Sequence, residues 1–564
     1  MSTLDWSIIA VYMLASLLVG VYFTKRASSS LSEYFVSGRN IPWWLAGTSM
    51  VATTFSADTP LYVTGLVRGN GVYENWQWWC FILSGMLAVS FFSRLWSRAG
   101  VLTDVELIDI RYSGRSASVL RGFKAVYFSC VIHTIIKAQI ILAMAKIMDV
   151  VLGWGKWPSI LVSSGVTLCY ATLSGFWGVV LTDFMQFTIA MTGAIVLAVV
   201  SVHRAGGVEV IKAKLSPEVL SFFPPGEFLG TTFMTFLGYI GLSWWSKYSS
   251  DGGGVVVQRI TSCRSERDGL IATLYFNITN YALRTWPWVL AALASMVLYT
   301  AVPDNETIYP RMVVDLMPTG LKGLMVASFF AAFMSSLATY LNLSSAYFVN
   351  DFYRPFVKPG KTDSHYITVS RLATIVLSLI TAYVTSQVES IVGVFKFLIA
   401  FGSGTGLVYI VRWFWWRVNA WSEISAMIAS TLTTIYAYKF TELPYYGKLS
   451  LIIGVSTSVW VAVTLLTKPV ERAKLESFVR HIRPAGRGWA AVRRGMEGLG
   501  PAESFRGALY EWISGSLFLV SLTLGLGKLL LGYYESAAIW GAIALISGVT
   551  TWRSINSIRH ISSP

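Results

Sequence analysis

Charged residues are scarce in this sequence. Asp, Glu, Lys and Arg make up 13% of the 564 residues and hydrophobic residues 54%, whereas soluble domains carry about 25% charged residues. This balance excludes a soluble globular fold. Runs of about 20 apolar residues, enough to cross a bilayer, occur along most of the chain. The sequence therefore predicts an all-α polytopic membrane protein whose surroundings are the lipid bilayer.

Cysteine and catalytic motifs are also rare. The four cysteines stand alone, without CxxC or Cys/His spacing, so neither a disulfide framework nor a cysteine metal site is indicated. HExxH and P-loop motifs are absent from the sequence, which argues against a metalloenzyme and against an ATP-driven pump. We therefore expect no enzymatic activity. The cysteines are Cys80, Cys130, Cys169 and Cys263.

Among the few charged residues, positive ones predominate. The net charge of +15 would suggest nucleic acid in a soluble chain, but in a membrane protein it indicates cytoplasmic loops. No nucleic-acid partner is expected. The first apolar run lacks basic residues ahead of it and ends in Lys25-Arg26, which favours a retained helix over a signal peptide.

The hydrophobic pattern divides into about fifteen segments. Clusters of Lys and Arg follow the odd-numbered segments, and the region 468–510 is the most basic of all. The positive-inside rule therefore predicts an outside N-terminus and a cytoplasmic C-terminus in the plasma (inner) membrane. We also expect the protein to function as a monomer. The segments begin near residues 5, 43, 74, 121, 157, 177, 229, 268, 319, 366, 389, 419, 446, 511 and 536.

Two of these segments carry residues that should break a membrane helix. "MVATTFSADTPLYVTG" (50–65) contains Asp58 and Pro60, and "SSDGGGVVVQR" (249–259) contains Asp251 and three consecutive glycines. Each glycine costs about 1 kcal/mol in a helix interior, and unwound backbone is tolerated in a membrane only where it lines a cavity. A lone glycine or proline is usually only a kink. Paired breaks, each with a carboxylate, favour a binding site.

The broken segments are the second and the seventh, five apart. This spacing predicts two five-helix units, the second inverted relative to the first, with the site near the membrane midplane. One helix precedes these units and several follow them. The predicted divisions are 1–42 with the N-terminal helix, 43–202 and 229–416 as the two repeats, 203–228 as an extracellular loop, and 417–564 with the C-terminal helices and the basic loop 468–510.

A serine pair provides candidate ligands for a cation. Ala332, Ser335 and Ser336 are spaced i, i+3 and i+4, which places them on one face of a helix. Na⁺, like other hard cations, prefers carbonyl and hydroxyl oxygens. Two serine hydroxyls could contribute to a sodium site together with carbonyls of the unwound 52–55 region. Small packing residues are the ordinary alternative for serines in membrane helices.

Several stretches together resemble the solute:sodium symporter family. "EYFVSGRNIPWWLAGTSMVATTFSA" is similar to the family's YF-x-x-GR-x-x-PWW start, and "LSGFWGVVLTDFMQ" (173–186) to its GG-x-x-AV-x-x-TD-x-x-Q stretch. "SSLATYLNLSSAYFVNDFY" is similar to the segment that ends in an acidic-aromatic motif. The resemblance covers residues 5 to about 440. It implies the leucine-transporter-type inverted-repeat fold.

The resemblance also implies a sodium site. Carried onto this chain, the family's ligands are the carbonyls of Ala52, Phe55 and Ala332 and the hydroxyls of Ser335 and Ser336. Asp183, the acidic residue of the TD stretch, is expected close to this site. Sodium is therefore the expected bound ion and coupling partner.

The solute positions depart from those of sugar-transporting relatives. Thr59 replaces a glutamine, Gly253 an asparagine and Asn277 a lysine, which disfavours a sugar. An intramembrane Lys396, with two carboxylates in the breaks, favours a charged or zwitterionic, amino-acid-like solute. Lys396 could instead only pair with a carboxylate, and Asp251 could pair either with the solute or with Lys396 or another buried charge. The candidate solute residues are Asp58, Thr59, Asp251, Gly252, Gly253, Asn277 and Lys396.

These observations predict a sodium-coupled secondary symporter that imports a small organic solute by alternating access. The alternative is a passive facilitator or channel without sodium coupling. A facilitator would keep the broken helices but would not need the serine pair and Asp183 together.

Overall fold

The computed structural model describes residues 1–27, 39–101, 103–226, 231–496, 499–501 and 503–557. These residues form a helical bundle without a β-strand; one isolated parallel bridge pairs Ile41 with Cys263. Most buried apolar side chains belong to one continuous core that runs through the bundle. This confirms the predicted all-α class.

The helices follow one another with short connections. Several starts lie within two residues of the predicted ones, for example Leu321, Ala420 and Tyr445. The longer helices are Thr3–Ala27, Trp43–Thr54, Asp58–Asn70, Val72–Ala99, Gly114–Val126, His133–Leu152, Lys156–Arg204, Thr231–Ser246, Gly253–Ser262, Glu266–Leu298, Ile308–Leu316, Leu321–Val357, Asp363–Ser386, Ile391–Gly402, Ala420–Phe440, Tyr445–Leu466, Arg472–Ile482, Phe505–Leu530 and Tyr534–Ser557.

Seven helices in the described part of the chain are long and apolar enough to cross a membrane. The number is lower than the count of apolar segments partly because a broken segment is divided into two short helices. The seven are Val72–Ala99, Thr182–Arg204, Glu266–Leu298, Leu321–Val357, Asp363–Ser386, Tyr445–Leu466 and Phe505–Leu530.

Both predicted breaks are present. The first broken segment consists of Trp43–Thr54 and Asp58–Asn70, separated by residues 55–57. The second consists of Thr231–Ser246 and Gly253–Ser262, separated by residues 247–252. Gly252 and Gly253 have φ angles of +116° and +69°, which side-chain-bearing residues rarely adopt. The glycines therefore permit the second break.

The start of the first broken segment lies beside the end of the second. The Ile41 amide donates to the Ser262 carbonyl at 3.0 Å, and the Arg264 amide donates to the Ile41 carbonyl at 3.2 Å. We call these two hydrogen bonds the main-chain clasp. One segment enters the bundle where the other leaves it.

Two regions differ from the sequence expectation. Segments were expected to begin separately near residues 157 and 177, but the structure has one helix of 49 residues, Lys156–Arg204. At 1.5 Å per residue it is about 73 Å long, more than twice the about 30 Å of a hydrocarbon core. Proline, the strongest helix breaker, does not occur in the sequence between Pro158 and Arg204.

The basic region 468–510 is not simply a loop. It contains the helix Arg472–Ile482, whose apolar residues recur at helical spacing and are buried. Trp489 is also buried, and its indole Nε1 donates to the carbonyl of Trp413 at 2.8 Å. The short helical turns Arg487–Trp489 and Ala490–Arg493 follow, and the next long helix begins at Phe505. This region therefore packs against the bundle, because its apolar face is large enough to be buried there.

Candidate functional site

The first break frees backbone carbonyls at the end of Trp43–Thr54. Arg284, buried in the neighbouring helix, donates to two of them: Nη1 to Val51 O at 3.1 Å and Nη2 to Thr54 O at 2.8 Å. A helix C-terminus carries partial negative charge, so a guanidinium is stabilised there. Arg284 thus holds the unwound backbone in place.

The serine pair lies against this same break. Ser336 Oγ donates to the Thr53 carbonyl at 2.6 Å, and Ser335 Oγ donates to Asp183 Oδ1 at 2.5 Å. Ser49 Oγ donates to the other carboxylate oxygen of Asp183, at 2.5 Å. Three distant parts of the sequence therefore meet at one group of oxygen atoms, all of them buried.

The chemistry of this oxygen group fits Na⁺. Carbonyl, hydroxyl and carboxylate oxygens are the ligands of hard cations. The carbonyl of Ala52 lies one residue before that of Thr53, which Ser336 contacts. Ala332 and Phe55 are buried in the two elements that meet here. The residues carried over from the family resemblance are thus on facing elements.

Arg259, from the second broken segment, reaches the same group of oxygens. Its Nε donates to Ser49 Oγ at 3.2 Å, its Nη2 donates to Thr53 Oγ1 at 3.0 Å, and its Nη2 lies 3.8 Å from Asp183 Oδ2. Sequence analysis did not single out this residue. The contact joins the second broken segment directly to the candidate sodium site.

A cavity of about 200 Å³ lies between the two breaks. Thr54 of the first break and residues 247–249 and 252–256 of the second line it. Three other helices each contribute a π-helical turn, in Ala88–Phe92, Tyr127–Ile132 and Ile278–Leu283. Such turns are frequent at functional sites. The cavity is therefore the candidate solute site.

Three of the predicted solute residues line this cavity: Gly252, Gly253 and Asn277. Asn277 Nδ2 donates to the Thr273 carbonyl at 2.7 Å, while its Oδ1 is buried without a partner among the described residues. That oxygen is a free acceptor beside the cavity.

The other predicted solute residues are not among the lining residues. Asp58 Oδ2 accepts a hydrogen bond from Gln139 Nε2 at 2.7 Å, and Thr59 Oγ1 donates to the Thr54 carbonyl at 3.4 Å. Lys396 Nζ lies 5.9 Å from the centre of the Tyr445 ring. Asp58 thus contacts the helix His133–Leu152, whereas Thr59 bonds within its own segment.

Asp251 has a partner that the sequence reading did not consider. Its Oδ2 lies 2.6 Å from Arg412 Nη2 and accepts a hydrogen bond from Trp413 Nε1 at 3.2 Å. Arg412 also pairs with Glu423 at 3.1 Å, and Glu423 with Lys124 at 3.5 Å. Asp251 is 2% exposed. It therefore belongs to a buried charge network, with Arg412 rather than Lys396 as its partner.

Sequence reasoning missed Arg284, which lies inside the apolar helix Glu266–Leu298, and Arg412, which follows an apolar run and resembles an ordinary boundary residue. It also passed over Lys247, which precedes the glycines of the second break and lines the cavity. Lys247 could have been identified from the sequence, because it lies within six residues of the glycines of a predicted break.

Comparisons with known proteins identify the family. A model of the sodium:solute symporter family matches residues 34–430. The sodium/sialic acid symporter NanT of Aliivibrio fischeri is 27% identical, over 84% of this chain and 95% of that protein. The sodium/glucose cotransporter of Vibrio parahaemolyticus is 22% identical, over 76% of this chain and 84% of that protein.

A solved structure of a Na⁺-coupled sialic acid symporter, in a substrate-bound outward-open state, has the same fold. The TM-score is 0.70 with 22% sequence identity, and the match covers 83% of this chain and 99% of the other. The family match spans both broken segments, the serine pair and the cavity. The chain belongs to the sodium:solute symporter family.

Proposed function

We propose that this protein couples the inward movement of Na⁺ to the import of a small organic solute by alternating access. The observation that carries the proposal is the contact of the serine pair with the broken backbone: Ser336 binds the Thr53 carbonyl and Ser335 binds Asp183. A break, two hydroxyls and a carboxylate are assembled in one buried place. A passive facilitator needs the cavity but not this group of oxygens.

In this proposal Na⁺ binds at the first break. Its ligands are the carbonyls of Ala52, Phe55 and Ala332 and the hydroxyls of Ser335 and Ser336. Asp183, which contacts Ser335 and Ser49, supplies negative charge next to the ion. The solute binds in the adjacent cavity between the two broken segments, so both ligands contact the first broken segment.

The fold supports a finer architecture for the same mechanism. We propose two inverted five-helix units, 43–202 and 229–416, within about fifteen membrane segments and with leucine-transporter-type topology. The main-chain clasp supports the inversion, because the first broken segment starts at the end of the bundle where the second finishes. We further propose an outside N-terminus, a cytoplasmic C-terminus, a place in the plasma membrane and function as a monomer.

The test of sodium binding uses the purified protein and radioactive Na⁺. We expect the Ser335→Ala/Ser336→Ala variant to need about tenfold more Na⁺ for half-saturation, or about 1.4 kcal/mol, because two oxygen ligands are lost. The matched control is Ser345→Ala, in the same helix, whose hydroxyl donates to the Ser370 carbonyl. Unchanged Na⁺ affinity in the double variant, with the control also unchanged, would contradict the proposed site.

The test of coupling uses proteoliposomes. We expect an inward Na⁺ gradient to drive concentrative uptake and a choline gradient to fail. Equal flux in both salts, without accumulation, would favour the facilitator.

A further inference from the structure

Lys247 is the first residue after the helix Thr231–Ser246 and therefore opens the second break. Its side chain lines the cavity, with Nζ 4.3 Å from the centre of the Phe81 ring. The cation–π contact contributes about 0.5–2 kcal/mol. Lys247 is half-buried, and a ring contact of this size does not neutralise its charge.

No carboxylate compensates this charge. Among the described residues that line the cavity there is neither aspartate nor glutamate. Asp251, four residues further on, is bound to Arg412. Within the described ranges the Lys247 ammonium group forms no salt bridge, so the cavity presents a cation that an incoming anion can satisfy.

A helix start provides a second attraction for an anion in the same cavity. The ten-residue helix Gly253–Ser262 begins at the cavity wall, and no side chain caps it. The amides of its first turn lack intrahelical acceptors, and the helix dipole adds partial positive charge. Gly253 and Gly254 let this helix start pack closely against its neighbours, because a Cβ at Gly254 would lie 2.1 Å from the Tyr347 hydroxyl.

The other residues that line the cavity determine the size and polarity of the rest of the ligand. Aromatic rings surround the space, among them Trp78, Phe128, Tyr281 and Phe395, and the free Asn277 Oδ1 can accept one hydrogen bond. About 200 Å³ is below the about 300–1,000 Å³ typical of ligand pockets. The space therefore suits a compact molecule.

We propose that the transported solute is a compact organic monocarboxylate, whose carboxylate binds Lys247 and the amides at the start of Gly253–Ser262. An apolar body would contact the rings, and a hydroxyl or N–H group would donate to Asn277. This inference rests on the proposed function, because it identifies the solute of that symporter. It replaces the zwitterion expected from sequence, since no acidic side chain lines the cavity to receive an ammonium group.

The test compares acids with their uncharged amides. Purified protein in lipid nanodiscs would be titrated in NaCl with lactate and lactamide, propionate and propionamide, and phenylacetate and phenylacetamide, with thermal unfolding as the readout. We expect at least one acid to raise the unfolding temperature and to bind at least tenfold more tightly than its amide. We expect Lys247→Gln to abolish that preference and Lys247→Arg to keep it.

The matched control is Lys396→Gln, which changes a lysine outside the cavity lining and should leave the acid preference intact. Binding of the amides as tight as that of the acids would overturn the proposal. So would an undiminished acid preference in Lys247→Gln, or the absence of acid binding by folded protein across all three pairs.

Repeating the titrations in choline chloride separates the two proposals. Acid binding that needs no Na⁺ would retain the role of Lys247 and contradict sodium coupling. Na⁺-dependent binding of the amides alone would support sodium coupling and contradict the role of Lys247.

Discussion

Each break joins a helix end to a helix start, and the two proposed ligands lie at opposite ones: at the helix end of the first break and at the helix start of the second. At the first, a helix ends at Thr54 and presents carbonyl oxygens; at the second, a helix begins at Gly253 and presents amide groups. Carbonyl oxygens carry partial negative charge and amides partial positive charge. The same device, an interrupted membrane helix, therefore suits a cation in one place and an anion in the other.

The two breaks are also stabilised by different kinds of contact. Arg284 holds the first through the backbone, by donating to Val51 and Thr54. Arg412 holds the second through a side chain, by pairing with Asp251. At the first break, the carboxylate of Asp183 can still contact the serines. At the second break, the carboxylate of Asp251 is paired with Arg412, and the ammonium group of Lys247 lines the cavity. We expect the second to be the more sensitive to a single substitution.

The largest effect should come from removing the contact that stabilises the second break. Asp251→Asn leaves Arg412 with one carboxylate fewer in a dry interior, and removing one partner of a buried pair costs about 3–5 kcal/mol. Thermal unfolding in detergent should show a strong loss of stability, together with loss of transport. The double variant Asp251→Asn/Arg412→Met should lose less than the sum of the two single variants. Strict additivity would mean that the pair does not fasten the break.

Arg284→Met should have the next largest effect. It removes the charged donor of the Val51 and Thr54 carbonyls, and a hydrogen bond to a charged group contributes about 1.5–3 kcal/mol. Na⁺ affinity should fall because the first break is no longer held, whereas the acid preference of the cavity should remain. Arg284→Lys should restore part of the affinity. A variant with normal Na⁺ binding would show that the first break holds its shape unaided.

Gly252→Ala should have a smaller effect, confined to the second break. A side chain at a φ of +116° is strained by about 1–3 kcal/mol. Solute binding should weaken while Na⁺ binding changes little. Gly241→Ala is the matched control, because a Cβ there meets no atom within 4 Å. Equal behaviour of the two variants in a binding assay would count against a functional break at Gly252.

Lys396→Met should have the smallest effect. Its ammonium group lies over the Tyr445 ring, outside the lining of the cavity. Uptake should keep its affinity for both Na⁺ and solute. Loss of solute affinity in this variant would show that Lys396 contributes to solute binding, and it would weaken the assignment of Lys247.

The sequence predicted both breaks because their cause is local. Three consecutive glycines and a proline act on the backbone in which they stand, so their effect can be read without knowledge of any neighbour. The class of fold follows from composition for a similar reason. The helix Lys156–Arg204 was harder, because whether a glycine ends a helix depends on its surroundings.

Charge partners could not be predicted in the same way. Asp251 and Arg412 are 161 residues apart and meet only through packing. The sequence identified Asp251 as a buried charge that requires a partner, but Lys396 was the only candidate residue named for it, and Arg412 was missed. Lys247 was missed because a lysine beside aromatic residues is typical of a membrane interface. Only the enclosed cavity distinguishes it.

The main-chain clasp has a mechanical consequence. Two hydrogen bonds join Ile41 to Ser262 and Arg264, so the segment proposed for sodium and the segment proposed for the solute share one pivot. We expect that when ion binding tilts the first broken segment, the second broken segment rotates with it about these two hydrogen bonds. Cross-linking Cys263 to a cysteine introduced by Ile41→Cys should therefore leave transport intact, whereas a transport cycle that separates the two ends would stop.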